Sequence, residues 1–242
     1  INLSLIIPIG LMLFSFFFGA GNLIFPPVLG QMAGENISWG MLGFCLSGVG
    51  FPLLGVLAMA MKQSDNPDSI AMPMHPLYAR AVTILCALAI GPLFAIPRTA
   101  AVSFDTGIHS LLPASCEAIG LPVYTVFFFV LTYFFSINPS KIIGHIGKFL
   151  SPMLLFCLAV LVVCVFVNPT GSLKMPNPDF AASPFFRGFQ EGYNTMDLLA
   201  AILFGSITIK AIEAQGITDK KVLTKLCSYA GLIAAFFLAI IY

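Results

Sequence analysis

The sequence predicts an all-α, polytopic membrane protein, and three observations carry that expectation. Of its 242 residues, 59% are hydrophobic and only 9% are charged, whereas a soluble domain carries about 25% charge to cover its surface. The apolar residues fall in runs of about twenty, the length of helix that crosses the hydrocarbon core of a bilayer. Short polar links rich in turn residues, such as Asn66-Pro67-Asp68 and Asn138-Pro139-Ser140, separate the runs.

Only a helix satisfies its own backbone inside lipid, so each run is read as a span. Seven follow, roughly Leu3–Leu29, Trp39–Met61, Arg80–Leu112, Leu121–Ile137, Ile146–Val167, Gln190–Ile212 and Val222–Tyr242. The longest link, Asn168–Arg187, holds Pro169, Pro176, Pro178 and Pro184 and is expected to be a structured loop with a short helix after Ser183. The chain starts at Ile1 and stops at Tyr242, inside the apolar run that begins at Leu226, so a piece of a longer protein is expected. All of 1–242 reads as one transmembrane domain.

Charge sets the direction. With the N-terminus in the cytoplasm, the inner links hold Lys62, Arg80, Lys141, Lys148, Lys210, Lys220, Lys221 and Lys225, and the outer links only Lys174 and Arg187. Eight cations against two fits the positive-inside rule. The net charge of +1 offers no field for nucleic acid. Cys45, Cys86, Cys116, Cys157, Cys164 and Cys227 show no ligand spacing and read as small packing residues. His75, His109 and His145 fall in or beside links, where a proton relay has no use for them. No nucleophile or metal-hydrolase motif is present, so the chain is not read as an enzyme.

The first span is interrupted near its middle by Phe18-Gly19-Ala20-Gly21-Asn22, followed by Pro26-Pro27. Glycine weakens a helix by about 1 kcal/mol relative to alanine, and Pro26 would orphan the Asn22 carbonyl in a straight helix. Backbone groups freed at membrane depth survive only against protein or a polar cavity. Phe204-Gly205-Ser206 in the sixth span looks like an echo of Phe18-Gly19-Ala20. Glycine-interrupted spans in corresponding places point to a transport site at a repeat interface. Gly40, Gly43 and Gly48 in the second span read instead as close-packing contacts between helices. Arg98, inside the third span, reads equally well as functional or as packing; Asp105, two turns on, reads as reaching the outer interface.

Three stretches carry a family resemblance. Residues Phe18-Gly19-Ala20-Gly21-Asn22-Leu23-Ile24-Phe25-Pro26-Pro27 resemble the first-helix signature of the BrnQ-type branched-chain amino acid carriers. Gly91-Pro92-Leu93-Phe94-Ala95-Ile96-Pro97-Arg98-Thr99-Ala100 is similar to that family's third helix, and Glu191-Gly192-Tyr193-Asn194-Thr195-Met196-Asp197, followed by Phe204-Gly205, to its sixth. The resemblance implies import of leucine, isoleucine and valine into a bacterial cell across its inner membrane, by cation-coupled symport, mainly with sodium. It also implies a LeuT-like fold of five plus five helices in inverted repeat, the standard illustration of broken helices meeting a substrate. Helices one and six would be discontinuous, 1–167 the first repeat and 190–242 the start of the second.

By that analogy the substrate would sit on Gly19, Ala20, Gly21, Asn22, Leu23 and Phe25 of the first helix and on Phe204, Gly205 and Ser206 of the sixth. The amides of Gly21, Asn22 and Leu23 would take its carboxylate, and opened carbonyls around Phe204–Ser206 its ammonium. Phe17, Phe25 and Phe204 would line an apolar pocket. The cation would meet the carbonyls of Phe17 and Phe18, with Ser15 and Asn22 assisting. Arg98 and Asp197 form a candidate gating pair. No cofactor or other metal is implied. Sodium against protons stays open, as do the oligomeric state and two rival readings, a passive channel and an amino-acid sensor.

Overall fold

The computed structural model describes residues 3–113, 117–137, 151–167, 174–217 and 219–242. Cys116, Asn138–Ser140, Lys141, His145, Lys148 and the start of the fifth span lie outside the described residues. All regular structure among the described residues is helical: α1 (Leu3–Phe17), α2 (Ala20–Ala33), α3 (Ile37–Cys45), α4 (Phe51–Lys62), α5 (Pro76–Leu88), α6 (Ala95–Gly107), α7 (Glu117–Ser136), α8 (Ser151–Val167), α9 (Pro178–Ala182), α10 (Pro184–Asn194), α11 (Asp197–Glu213) and α12 (Lys220–Ile241). Among them the stretches Ala20–Lys62, Pro76–Gly107, Ile119–Ser136 and Lys220–Ile241 are long and apolar enough to cross a membrane. The bent pair α10–α11 makes a fifth such span, and Leu5–Phe17 and Pro152–Val167 are shorter apolar helices.

The core is built from α1, α4, α11 and α12. Leu13 and Phe14 of α1 are fully buried with Val56 and Met59 of α4, Ala201 and Ile209 of α11, and Cys227 and Ala230 of α12. A second buried cluster joins Leu29 and Ala33 of α2, Phe44 of α3 and Phe180 of α9, whereas on α7 and α8 large apolar side chains point outward: Phe134 is 69% exposed and Phe166 is 81% exposed. In water such a surface would be costly; lipid solvates it as well as protein does. Apolarity on both inside and outside marks a membrane protein.

Special backbone positions shape the bundle. Gly34 ends α2 at φ +50, where an added Cβ would also collide with the Lys174 carbonyl. The glycines of α3 and α10 let two helices touch backbone to backbone, as read from the sequence for Gly40, Gly43 and Gly48. A Cβ on Gly43 would strike the Phe185 carbonyl, one on Gly188 the Gly40 carbonyl, and one on Gly192 the Phe44 carbonyl. A wide π turn at Leu46–Gly50 follows, with the Ser47 hydroxyl donating to the Phe189 carbonyl at 2.6 Å.

The third span departs from the expected unbroken helix. Gly91 leaves helical conformation (φ −79, ψ −117) inside a π turn at Ala89–Leu93, and Phe94 (φ −133, ψ −61) caps α6. Pro92 supplies no amide to the preceding turn, so Gly91-Pro92 breaks the ladder there.

Several polar links are joined by hydrogen bonds or ion pairs. Gln63 donates to Thr224 at 3.2 Å and Lys210 lies 3.7 Å from Asp65, which joins links assigned to one side. The Glu35 amide donates to the Lys174 carbonyl at 3.2 Å and the Asn177 amide to the Met32 carbonyl at 2.9 Å, which joins links assigned to the other.

Candidate functional site at two helix breaks

The first span breaks where the sequence places it. The Phe18 amide still bonds to the Phe14 carbonyl at 2.8 Å, and then Gly19 turns extended (φ −109, ψ −172) and caps a new helix at Ala20. The break therefore leaves carbonyls at the end of α1 and amides at the start of α2 without ladder partners, with the opposed partial charges of the two helix ends. The Asn22 amide is already taken by a tight turn to the Gly19 carbonyl at 3.1 Å. That leaves Ala20 and Gly21 as the first residues of α2, ahead of the amide engaged in the turn.

The sixth span also breaks, but not where expected. Through Phe204-Gly205-Ser206 the helix α11 runs unbroken, with the Ser206 hydroxyl donating to the Leu203 carbonyl at 2.7 Å. Gly205 is instead a packing contact: a Cβ there would sit 3.0 Å from Met59 of α4. The interruption lies at Thr195–Met196, where Met196 adopts φ +68 and α10 meets α11 at 44°. Glycine is not needed, because one left-handed residue at a helix end suffices to turn the chain.

The two breaks meet through side chains. The Asn22 Nδ2 donates to the Phe17 carbonyl at 2.8 Å and to Oδ2 of Asp197 at 2.9 Å, and lies 2.6 Å from the Tyr242 hydroxyl oxygen. The direction of the amide follows from its neighbours, since a carbonyl and a carboxylate can only accept. One amide nitrogen has two hydrogens, so three oxygens crowd a point that holds a donor for only two of them. Asn22 is 3% exposed and Asp197 5%. Thr195, also buried, donates its hydroxyl to the Gly192 carbonyl at 2.7 Å and faces the Asp197 amide at 3.5 Å.

Arg98 approaches from the third span. Its Nη1 donates to the Asn194 carbonyl at 3.0 Å and its Nη2 to the Thr195 carbonyl at 3.3 Å. Its guanidinium lies 5.5 Å from the Phe25 ring centre and packs on Gly21, where a Cβ would be 3.0 Å from Nη2. Arg98 and Asp197 influence each other electrostatically, yet no ion pair joins them among the described residues. The hydrogen bonds of Arg98 go to the carbonyls two and three residues before Asp197.

Of the remaining residues singled out in the sequence, Phe17 and Phe204 come together edge to face at 5.4 Å, with Phe16 on the other side of Phe204 at 5.4 Å. Gly19 is exposed and Leu23 is 44% exposed. Ser15 and Phe18 lie on either side of Phe17 at the end of α1. The sequence does not single out Thr195 or Tyr242 as site residues. A threonine inside a quoted motif and a tyrosine in an apolar run give no local signal, and only the fold brings them to Asn22.

Long apolar helices, two of them interrupted beside a shared buried polar cluster, define a multi-pass α-helical membrane protein. Sequence comparison supplies the family. Residues 3–242 match the family described as branched-chain amino acid transport protein, and the chain belongs to it. Its members are transport proteins rather than enzymes. The branched-chain amino acid permease BrnQ of Bacillus subtilis is 45% identical over the whole chain and 55% of its own length. BraB of the same organism is 43% identical, over 97% of the chain and 52% of BraB. BrnQ of Escherichia coli K12 is 38% identical, over 98% of the chain and 53% of that permease. The chain spans about half the length of the curated relatives it matches. No solved structure matches it significantly.

Proposed function

We propose that this chain is part of a secondary transporter that imports leucine, isoleucine and valine coupled to sodium, its N-terminus in the cytoplasm and its helices forming the first repeat and the start of the second in an inverted-repeat fold. The carrying observation is the oxygen cluster at the two breaks, where the Phe17 carbonyl, the Asp197 carboxylate and the Tyr242 hydroxyl surround one point. Sodium is a hard cation that prefers oxygen ligands. Asp197 supplies the negative charge that makes such a site selective for a cation, and the Asn22 amide can present its own oxygen by rotating. Ser15, the Phe18 carbonyl and the Thr195 hydroxyl lie close in sequence to these groups and complete the set.

The substrate binds beside the cation. Its carboxylate takes the free amides at Ala20 and Gly21, where the α2 dipole is positive, and its ammonium takes the carbonyl end of α1. Phe25 and the Phe17–Phe204 pair wall the branched side chain. An apolar wall separates substrates by only about 1–3 kcal/mol per methylene, so Leu, Ile and Val compete for one site. The membrane location follows from the family and the helices; the bilayer is the solvent of α7 and α8.

Isoleucine uptake into proteoliposomes under an imposed sodium gradient tests the reading, with Asp197→Asn and Asn22→Ala beside the unaltered carrier. Both variants should lose sodium-driven uptake. Uptake that follows an imposed proton gradient and ignores sodium would reassign Asp197 as a proton carrier. Uptake that never saturates would favour a channel, and binding without uptake a sensor.

A further inference from the structure

Arg98 has contacts that neither the cation site nor the substrate site explains. It is a cation in a membrane-embedded helix, a placement that costs about 2.5–3.5 kcal/mol on insertion scales. Such a cost is normally met by a carboxylate, yet the guanidinium reaches two backbone carbonyls instead, Asn194 at 3.0 Å and Thr195 at 3.3 Å. These are the carbonyls of the last residue of α10 and of its C-cap, which a helix leaves unpaired and where a cation is favoured. Its Nε is buried without a hydrogen-bond partner, so the side chain gives up one donor to keep the other two on these carbonyls. Its stem starts in the first turns of α6, directly after the irregular Gly91–Phe94 segment.

The same two carbonyls lead into the turn that delivers the cation ligands. Thr195 carries the buried hydroxyl, Met196 adopts the left-handed conformation, and Asp197 follows at once. Turn and guanidinium are one unit: two charge-assisted bonds fix the peptide planes just before Met196, and those planes set where Asp197 points. We infer that Arg98 is a positioning residue for the cation site, acting from the third span through the Asn194 and Thr195 carbonyls to aim Asp197 at Asn22. The inference rests on the sodium site proposed above. It assigns the third span, which supplies no ligand, control over cation affinity.

The test measures the half-saturating sodium concentration for isoleucine uptake by the carrier in proteoliposomes, alongside the maximal rate at saturating sodium. Arg98→Ala should raise half-saturating sodium about tenfold and largely recover its maximal rate when sodium is raised to match. Arg98→Lys, which can reach one carbonyl at a time, should fall between, about threefold. A general packing defect would instead lower the maximal rate at every sodium concentration. Unchanged half-saturating sodium in both variants overturns the inference. If the alanine variant does not reach the membrane, Arg98→Lys and Arg98→Gln decide it by the same criterion. Asp197→Asn separates the two proposals: retained sodium dependence there defeats the sodium site itself, whereas lost dependence with unshifted Arg98 variants defeats only the positioning role.

Discussion

Substituting Gly188 by alanine tests whether the half-helix α10 is held in place by backbone contact with α3. The added Cβ would overlap the Gly40 carbonyl oxygen and sit 2.6 Å from its carbon and 2.8 Å from the Gly40 Cα. Carbon atoms rest at about 3.5–4.0 Å, so the helices must part by about 1 Å. Overpacking of this kind costs about 1–3 kcal/mol. Parting also stretches the 2.6 Å bond from Ser47 to the Phe189 carbonyl, worth about 1 kcal/mol. Alanine returns about 1 kcal/mol of helix propensity. The net loss is about 1–3 kcal/mol, a melting temperature lower by about 2–12 °C for a chain of this size. Gly48→Ala is the control, because its Cβ would meet Gly192 at an ordinary 3.4 Å; it should melt within about 1 °C of the parent. Thermal unfolding in detergent measures both, and uptake should fall with Gly188→Ala because α10 ends at the Asn194 and Thr195 carbonyls. Equal melting of the two variants would refute backbone contact between α3 and α10.

Three further outcomes follow from single positions. Met196→Val places a β-branched residue at φ +68 and should destabilise the protein by about 1–2 kcal/mol, whereas Met196→Gly should leave it as stable or more so; chemical unfolding compares them. Amide hydrogen exchange should find Phe204–Ser206 protected and Gly19–Ala20 fast, and the reverse order would restore the opened segment at Gly205. Asp65→Asn removes an ion pair whose side chains are 53% and 61% exposed, so melting should shift by less than the equivalent of about 1 kcal/mol.

Much of this architecture is legible in the residue order because lipid imposes a simple rule. Twenty apolar residues in a row have few alternatives to a helix, and Gly19 with Pro26-Pro27 marks a place where the ladder fails. The sixth helix shows the limit of that reasoning. Glycine at 205 looked like a break because glycine weakens helices, but the same missing side chain lets α11 approach Met59, and packing won. The true break at Met196 carries no glycine or proline, and its left-handed turn is sustained by Arg98 from ninety-seven and ninety-six positions away in sequence.

The apolar helical character, the interrupted first helix, the packing role of Gly40 and Gly43 and the family resemblance were determined by sequence alone, since each depends on composition or on neighbours a few residues apart. The meeting of Asn22 with Asp197 and Tyr242, and the grip of Arg98 on the sixth-span turn, were decided only by tertiary structure. Those contacts join residues 175, 220 and about 96 positions apart. Hydrogen bonds over such separations depend on how whole helices pack, which no local pattern encodes.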